Sequence, residues 1–122
     1  MKHLIIYTLF SIVLLGCETK ETGCGQAYFG GEIINANNDF LVLYDNVAPI
    51  DTLYLDNNDR FLHKIENLKS GLHSFTHGGE YQVIILEPND SLLLRLNTLY
   101  FDESIVFTGR GSKKNNYLIW LD

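Results

Sequence analysis

Between Ala27 and Gly109 the chain is a succession of short apolar runs, each closed by Asn, Asp, Gly or Pro. That rhythm leaves no room for a long helix; it is the pattern of strands joined by tight turns. AYFGGEIIN (27–35), FLVLYD (40–45), IDTLYLD (50–56), RFLHKIE (60–66), LHSFTH (72–77), YQVIILE (81–87), SLLLRLN (91–97) and SIVFTG (104–109) read as strands. In RFLHKIE, Phe61, His63 and Ile65 share one face, and Leu62, Lys64 and Glu66 the other. YQVIILE is apolar on both faces at its centre, which predicts a central position in a sheet. Gly30-Gly31 predicts a bulge or close packing. Asp56-Asn57-Asn58-Asp59 reads as a hairpin turn. Glu87-Pro88-Asn89-Asp90 suits a type I turn that brings SLLLRLN back to pair. The expectation is an all-β fold, an antiparallel β-sandwich of about seven or eight strands, with local hairpin and meander connections.

The pattern breaks at the C-terminal end. SKKNNYLIWLD (112–122) reads as the first turns of a helix, with Ser112 as its cap. A helix this short needs a tertiary partner, so it either folds back on the sandwich or begins a connector.

The N-terminal end is of another kind. Lys2 and His3 precede an apolar run, Leu4 to Leu15, that ends in Gly16-Cys17. Twelve residues fall short of the roughly 20 that a spanning helix needs, but suit a secretory signal. The order of charge, apolar run, Gly and Cys resembles the lipobox of bacterial lipoproteins. The resemblance implies cleavage before Cys17, lipid on its thiol, and a domain held to a membrane of the cell envelope, facing the periplasm or the exterior. The alternative is a membrane anchor or signal peptide with an incidental cysteine. With Cys17 lipidated, Cys24 has no second cysteine in the chain to pair with, and no Cys-x-x-Cys occurs. The domain reading is a signal peptide at 1–16, a polar tether at 17–26, the sandwich at 27–111 and the helical start at 112–122.

Three stretches carry a second resemblance: Leu86-Glu87-Pro88-Asn89-Asp90-Ser91, Phe101-Asp102-Glu103-Ser104, and Gly109-x-Gly111-x-x-Lys114-Asn115-Asn116. Together with the lipobox they resemble the N-terminal β-rich domain of unknown function in lipoproteins of the TlpA-type thiol-disulfide oxidoreductase group. In that group a helical connector and a thioredoxin-like domain follow. The resemblance implies a non-catalytic accessory domain. Its partners would be the membrane, through Cys17, and a partner protein or a C-terminal thioredoxin-like domain. No catalytic residue of the family has a counterpart here, and no cofactor is implied. The alternative function is a stand-alone lipoprotein that binds a partner protein or a glycan.

Charge excludes one class of partner. Lys plus Arg number 9 against 15 Asp plus Glu, a net of −6, with no basic stripe for nucleic acid. Nor does the sequence have a basic patch to hold anionic lipid.

The remaining constellations carry little chemistry. Gly109-Arg110-Gly111-Ser112-Lys113-Lys114 lacks the spacing of a phosphate loop and reads as a strand-to-helix turn. His73 and His77 lie four apart, roughly 13 Å along a strand, too far to share one ion; with His63 they read as sheet-surface histidines. Asp51, Asp56, Asp59, Asp90, Asp102 and Glu103 sit in or beside turns, where such residues are expected for conformational reasons. Ser91 and Ser104 have no nucleophile-elbow motif around them. Tyr28, Tyr44, Tyr54, Tyr81, Tyr100 and Tyr117 are candidates for a binding face, although buried rings with hydroxyls at the rim are the commoner use.

Overall fold

The computed structural model describes residues 25–121. The expected signal peptide, Cys17 and Cys24 lie outside the described residues. Eight strands form two four-stranded sheets packed face to face: β1 Gly25–Ile34, β2 Phe40–Tyr44, β3 Pro49–Tyr54, β4 Arg60–Leu68, β5 Gly71–His77, β6 Glu80–Leu86, β7 Ser91–Asn97 and β8 Val106–Arg110. A short helix, α1 Phe101–Ser104, joins β7 to β8, and α2 Ser112–Trp120 follows β8. The all-β sandwich expected from the sequence is therefore the fold. β1 begins at Gly25, so Gly25 and Gln26 belong to the sandwich rather than to a tether.

One sheet runs β4-β1-β7-β8 and the other β3-β2-β5-β6. The chain crosses between the sheets four times, after β1, β3, β4 and β6, and two of these crossings use the turns read from the sequence. The turn at Asp56–Asp59 is tight, with Asp59 N–H donating to the Asp56 carbonyl at 3.0 Å, yet its flanking strands lie in different sheets. The turn at Glu87–Asp90 also closes as expected, Asp90 N–H donating to the Glu87 carbonyl at 3.1 Å. It is a corner rather than a hairpin. Asn89 N–H donates to Gln26 at 2.8 Å and Tyr28 N–H donates to Asp90 at 2.9 Å, which ties the corner to the start of β1. β7 consequently leaves the corner alongside β1 and pairs with it in parallel, Tyr28 to Ser91 through Ile34 to Asn97. The other strand pairs are antiparallel.

The core lies between the sheets. Phe29 contacts Phe61 edge-on at 5.2 Å and Phe75 at 5.8 Å, and Phe75 meets Phe101 of α1 at 6.4 Å. Alternation along each strand delivers these side chains inward, together with Leu41, Leu43, Leu53, Ile84 and Leu92. Gly31 explains the glycine pair. It sits at φ +147°, and a Cβ there would lie against the Leu94 backbone of β7. The bulge in β1 lies instead between Gly25 and Ala27.

The chain enters and leaves the described domain at opposite ends. β1 starts beside the Pro88 corner, which defines the near end; β1 and β7 run from there to the far end, and β8 returns. α2 then runs back along the sandwich, from Asn115 beside Ile85 toward Tyr81 and Gly79 at the far end. Among the described residues no helix is long and apolar enough to cross a membrane.

Candidate functional site

β6 is an edge strand, not the central one expected from its apolar pattern. The reason lies in α2, which covers its edge. Ile85 N–H donates to Asn115 Oδ1 at 2.7 Å, and Asn115 Nδ2 donates to the Ile85 carbonyl at 2.9 Å. One side-chain amide thus supplies both bonds that a neighbouring strand would make. Asn115 is fully buried, and its Nδ2 also donates to the Gly111 carbonyl at 2.9 Å. The next residue repeats the device on the other sheet. Phe107 N–H donates to Asn116 Oδ1 at 2.9 Å, and Asn116 Nδ2 donates to the Phe107 carbonyl at 2.8 Å. Phe107 lies on β8, the edge of the first sheet. Two consecutive asparagines therefore satisfy one residue on the edge of each sheet, Ile85 and Phe107, along one side of the sandwich.

The first turn of α2 is fixed to the Pro88 corner. Lys114 Nζ donates to Asp90 at 2.6 Å and lies 2.8 Å from Glu87. Asp90 is buried, and its carboxylate also accepts from Glu87 N–H at 3.0 Å. Partial burial of Lys114 works against its charge, but the hydrogen bonds and charges of Asp90 and Glu87 prevail and hold its pKa above the usual lysine value. Gly111 caps the helix at φ +99°, a conformation natural to glycine, and Ser112 is the first helical residue; the cap expected at Ser112 is not formed. The candidate phosphate loop is thus spent on this junction, its lysine already paired with carboxylates.

Two of the three quoted motifs, LEPNDS and GxGxxKNN, meet at this corner. The third is also structural: Ser104 Oγ accepts from Asn97 N–H at 2.8 Å and donates to the Asn97 carbonyl at 3.0 Å, while Phe101 enters the core.

The histidines are not all on the surface. His73 and His77 are buried. His77 Nδ1 donates to the Phe40 carbonyl at 2.8 Å and its Nε2 accepts from Asn37 N–H at 3.0 Å, which requires a neutral ring with its proton on Nδ1. His73 Nδ1 donates to the Gly71 carbonyl at 2.9 Å. His63, half-exposed on β4, pairs with Asp51 of β3. Among the described residues no group of three or more His, Cys, Asp or Glu side chains converges as a metal site would require. Ser91 stands at the near end of β7 and Ser104 at the far end, with no histidine bonded to either.

The two outer faces differ. Strand register places Lys64, Tyr28, Ser91 and Arg110 in one row of the first sheet, and Arg60, Glu32, Arg95 and Val106 in another. The second sheet presents Thr52, Val42, Thr76 and Tyr81, then Tyr44, Ser74 and Val83, with Phe40 beside Tyr54 at 6.4 Å. These rows carry no charge. Of the candidate tyrosines, Tyr44, Tyr54 and Tyr81 share this face; Tyr28 lies on the other sheet, and Tyr100 and Tyr117 are exposed on helical segments.

At the far end this face continues into a groove of about 930 Å³ between β6, α1 and α2. Tyr81, Val83 and Leu118 line it, with the carboxylates Glu80, Asp102 and Glu103. The sequence reading missed this groove, because residues from β6, α1 and α2 converge only through the corner and the asparagine clamp. Comparison with protein-family models, with curated proteins and with solved structures finds no match.

Proposed function

We propose that this chain is a non-catalytic, lipid-anchored β-sandwich of the bacterial cell envelope, the accessory N-terminal domain of a thioredoxin-like thiol-disulfide oxidoreductase. The chain path carries the reading. Entry at the near end and a helix clamped through Lys114, Asn115 and Asn116 and directed toward the far end would make a spacer between an anchor and a following segment. The lipid would sit on Cys17, eight residues before Gly25. At no more than about 3.6 Å per residue, that tether keeps the near end within roughly 30 Å of the headgroups. Multiple acyl chains on Cys17 would make the anchoring stable. The side chains of Asp90, Ser104, Lys114, Asn115 and Asn116 support a scaffold: they bond to backbone or to one another.

The uncharged outer face of the second sheet favours the alternative, a stand-alone lipoprotein whose aromatic residues meet a partner protein or a glycan.

The intact mass of the native protein extracted from membranes tests both. The accessory-domain reading expects a mass well above that of residues 17–122 plus acyl chains, with a Cys-x-x-Cys in the added sequence. A mass equal to residues 17–122 plus acyl chains overturns it in favour of the stand-alone lipoprotein. Cys17→Ala is expected to abolish incorporation of labelled fatty acid; persistent labelling would overturn the anchor.

A further inference from the structure

Charge is divided along the length of the sandwich. Lys64, Lys69, Arg110, Lys113 and Lys114 all belong to the half containing the Pro88 corner, as strand direction and the start of α2 require. The far end holds Arg60 and Arg95, and both are engaged by Glu32, at 3.4 and 3.9 Å. The same end carries Asp39, Asp56, Asp59, Glu80, Asp102 and Glu103. The groove opens here. The ion pairs among the described residues lie elsewhere, so no lysine or arginine of these offsets Glu80, Asp102 or Glu103.

The groove also has unsatisfied apolar surface. Tyr81 is 66% exposed on its wall. Leu72, 48% exposed, adds to this wall, whereas Tyr117, Trp120 and Leu121 lie on the side of α2 turned away from the groove-lining Leu118 and Ile119. Apolar side chains gathered this way on a surface mark a place that another chain covers. The carboxylates select what that chain carries.

From these observations we infer that the far-end groove docks a segment of a partner protein that presents aliphatic side chains flanked by lysine or arginine. Aliphatic groups would cover Val83, Leu118 and the Tyr81 ring. The flanking cations would meet Glu80 on one side and Asp102 and Glu103 on the other; these carboxylates are exposed, so the attraction selects the partner and weakens with salt. The inference stands whether or not Cys17 carries lipid.

The test uses the full chain in phosphatidylcholine nanodiscs and a short amphipathic peptide of leucine and lysine, with binding measured by titration calorimetry and empty nanodiscs subtracted. Two control peptides replace lysine by glutamate or leucine by serine. The leucine-lysine peptide is expected to bind at least about tenfold more tightly than either control. The double variant Glu80→Lys, Glu103→Lys is expected to lose about tenfold in affinity. A matched charge reversal at exposed acids outside the groove, Asp39→Lys with Glu66→Lys, is expected to lose no more than about twofold, because salt screens distant charges. Tyr81→Lys, an independent exposed change on the wall, should weaken binding as well. Equal losses for the two double variants would overturn the inference, since attraction would then come from net charge. So would equal affinity for the serine-lysine peptide, or absence of binding by the leucine-lysine peptide.

Discussion

The two sides of the sandwich end their sheets differently. On one side β6 and β8 are closed by Asn115 and Asn116. On the other, β3 and β4 are linked across the sheets by the His63–Asp51 pair and the Asp56 turn. The first closure centres on Asn115, a buried amide whose bonds water cannot replace. The second uses a half-exposed histidine–carboxylate contact that water competes for. An edge can therefore be shut by chemistry that the fold depends on or by chemistry that it barely feels. The open side relies on other protection, a Pro at the start of β3 and charged residues along β4.

The largest expected effect falls at the buried amide. Asn115→Ala leaves the Ile85 N–H and carbonyl and the Gly111 carbonyl without partners, and should cost about 3 kcal/mol. Thermal unfolding should then fall by about 15 °C. Asn115→Asp sharpens the comparison: it keeps the acceptor for Ile85 N–H, loses both donors and places charge in a buried site, so it should be no milder than the alanine. Next comes Lys114→Met, which strands the Asp90 carboxylate and should cost about 2 kcal/mol in chemical denaturation at neutral pH. The same residue predicts a pH signature. A lysine whose folded pKa is raised contributes stability that is fully present below its unfolded value of about 10.4, and loses it as pH rises through the higher folded value. Denaturation midpoints measured through that alkaline window should decline in the wild type and decline less in Lys114→Met. Asn116→Ala should cost about 1 kcal/mol, because Asn116 is exposed and water can reach Phe107 in its place. On the open side His63→Ala should change stability by no more than about 0.5 kcal/mol. A loss there as large as that of Asn115→Ala would erase the distinction between the two sides.

Much of the fold was legible in the sequence because strand signals are local. The alternation in RFLHKIE put Phe61 and Ile65 on one face, and that is the face the fold buries; the turn residues at 56–59 and 87–90 do turn. Pairing was less legible, because a turn signal does not say whether the strand beyond it stays in the same sheet. Glu87–Asp90 is a good turn in either case, and only its bonds to Gln26 and Tyr28 send β7 to the opposite sheet. YQVIILE misled for a related reason. Its double-sided apolarity reflects cover by a helix more than twenty residues further on, which strand patterning cannot register. The helix starts one residue earlier than its Ser112 signal suggested, with Gly111 at the cap, where Asp90 packs in the place of any side chain. The groove was out of reach for the same reason: its carboxylates come from β6 and α1 and look, one at a time, like ordinary turn residues.

The division between near and far ends has a mechanical consequence. A force applied between Gly25 and Leu121 acts along the strands, so β1 and β7 are loaded in shear, with their rungs sharing the strain. β8 is more vulnerable, because its Arg110 end lies at the near end and a pull from the far end would peel it from β7 rung by rung. Before that can happen, α2 must slide free of Ile85, Phe107 and Asp90. The paired asparagines therefore serve as the latch of a load-bearing strut, and in a pulling experiment their loss should lower the first rupture force while leaving the resistance of β1 against β7 in place.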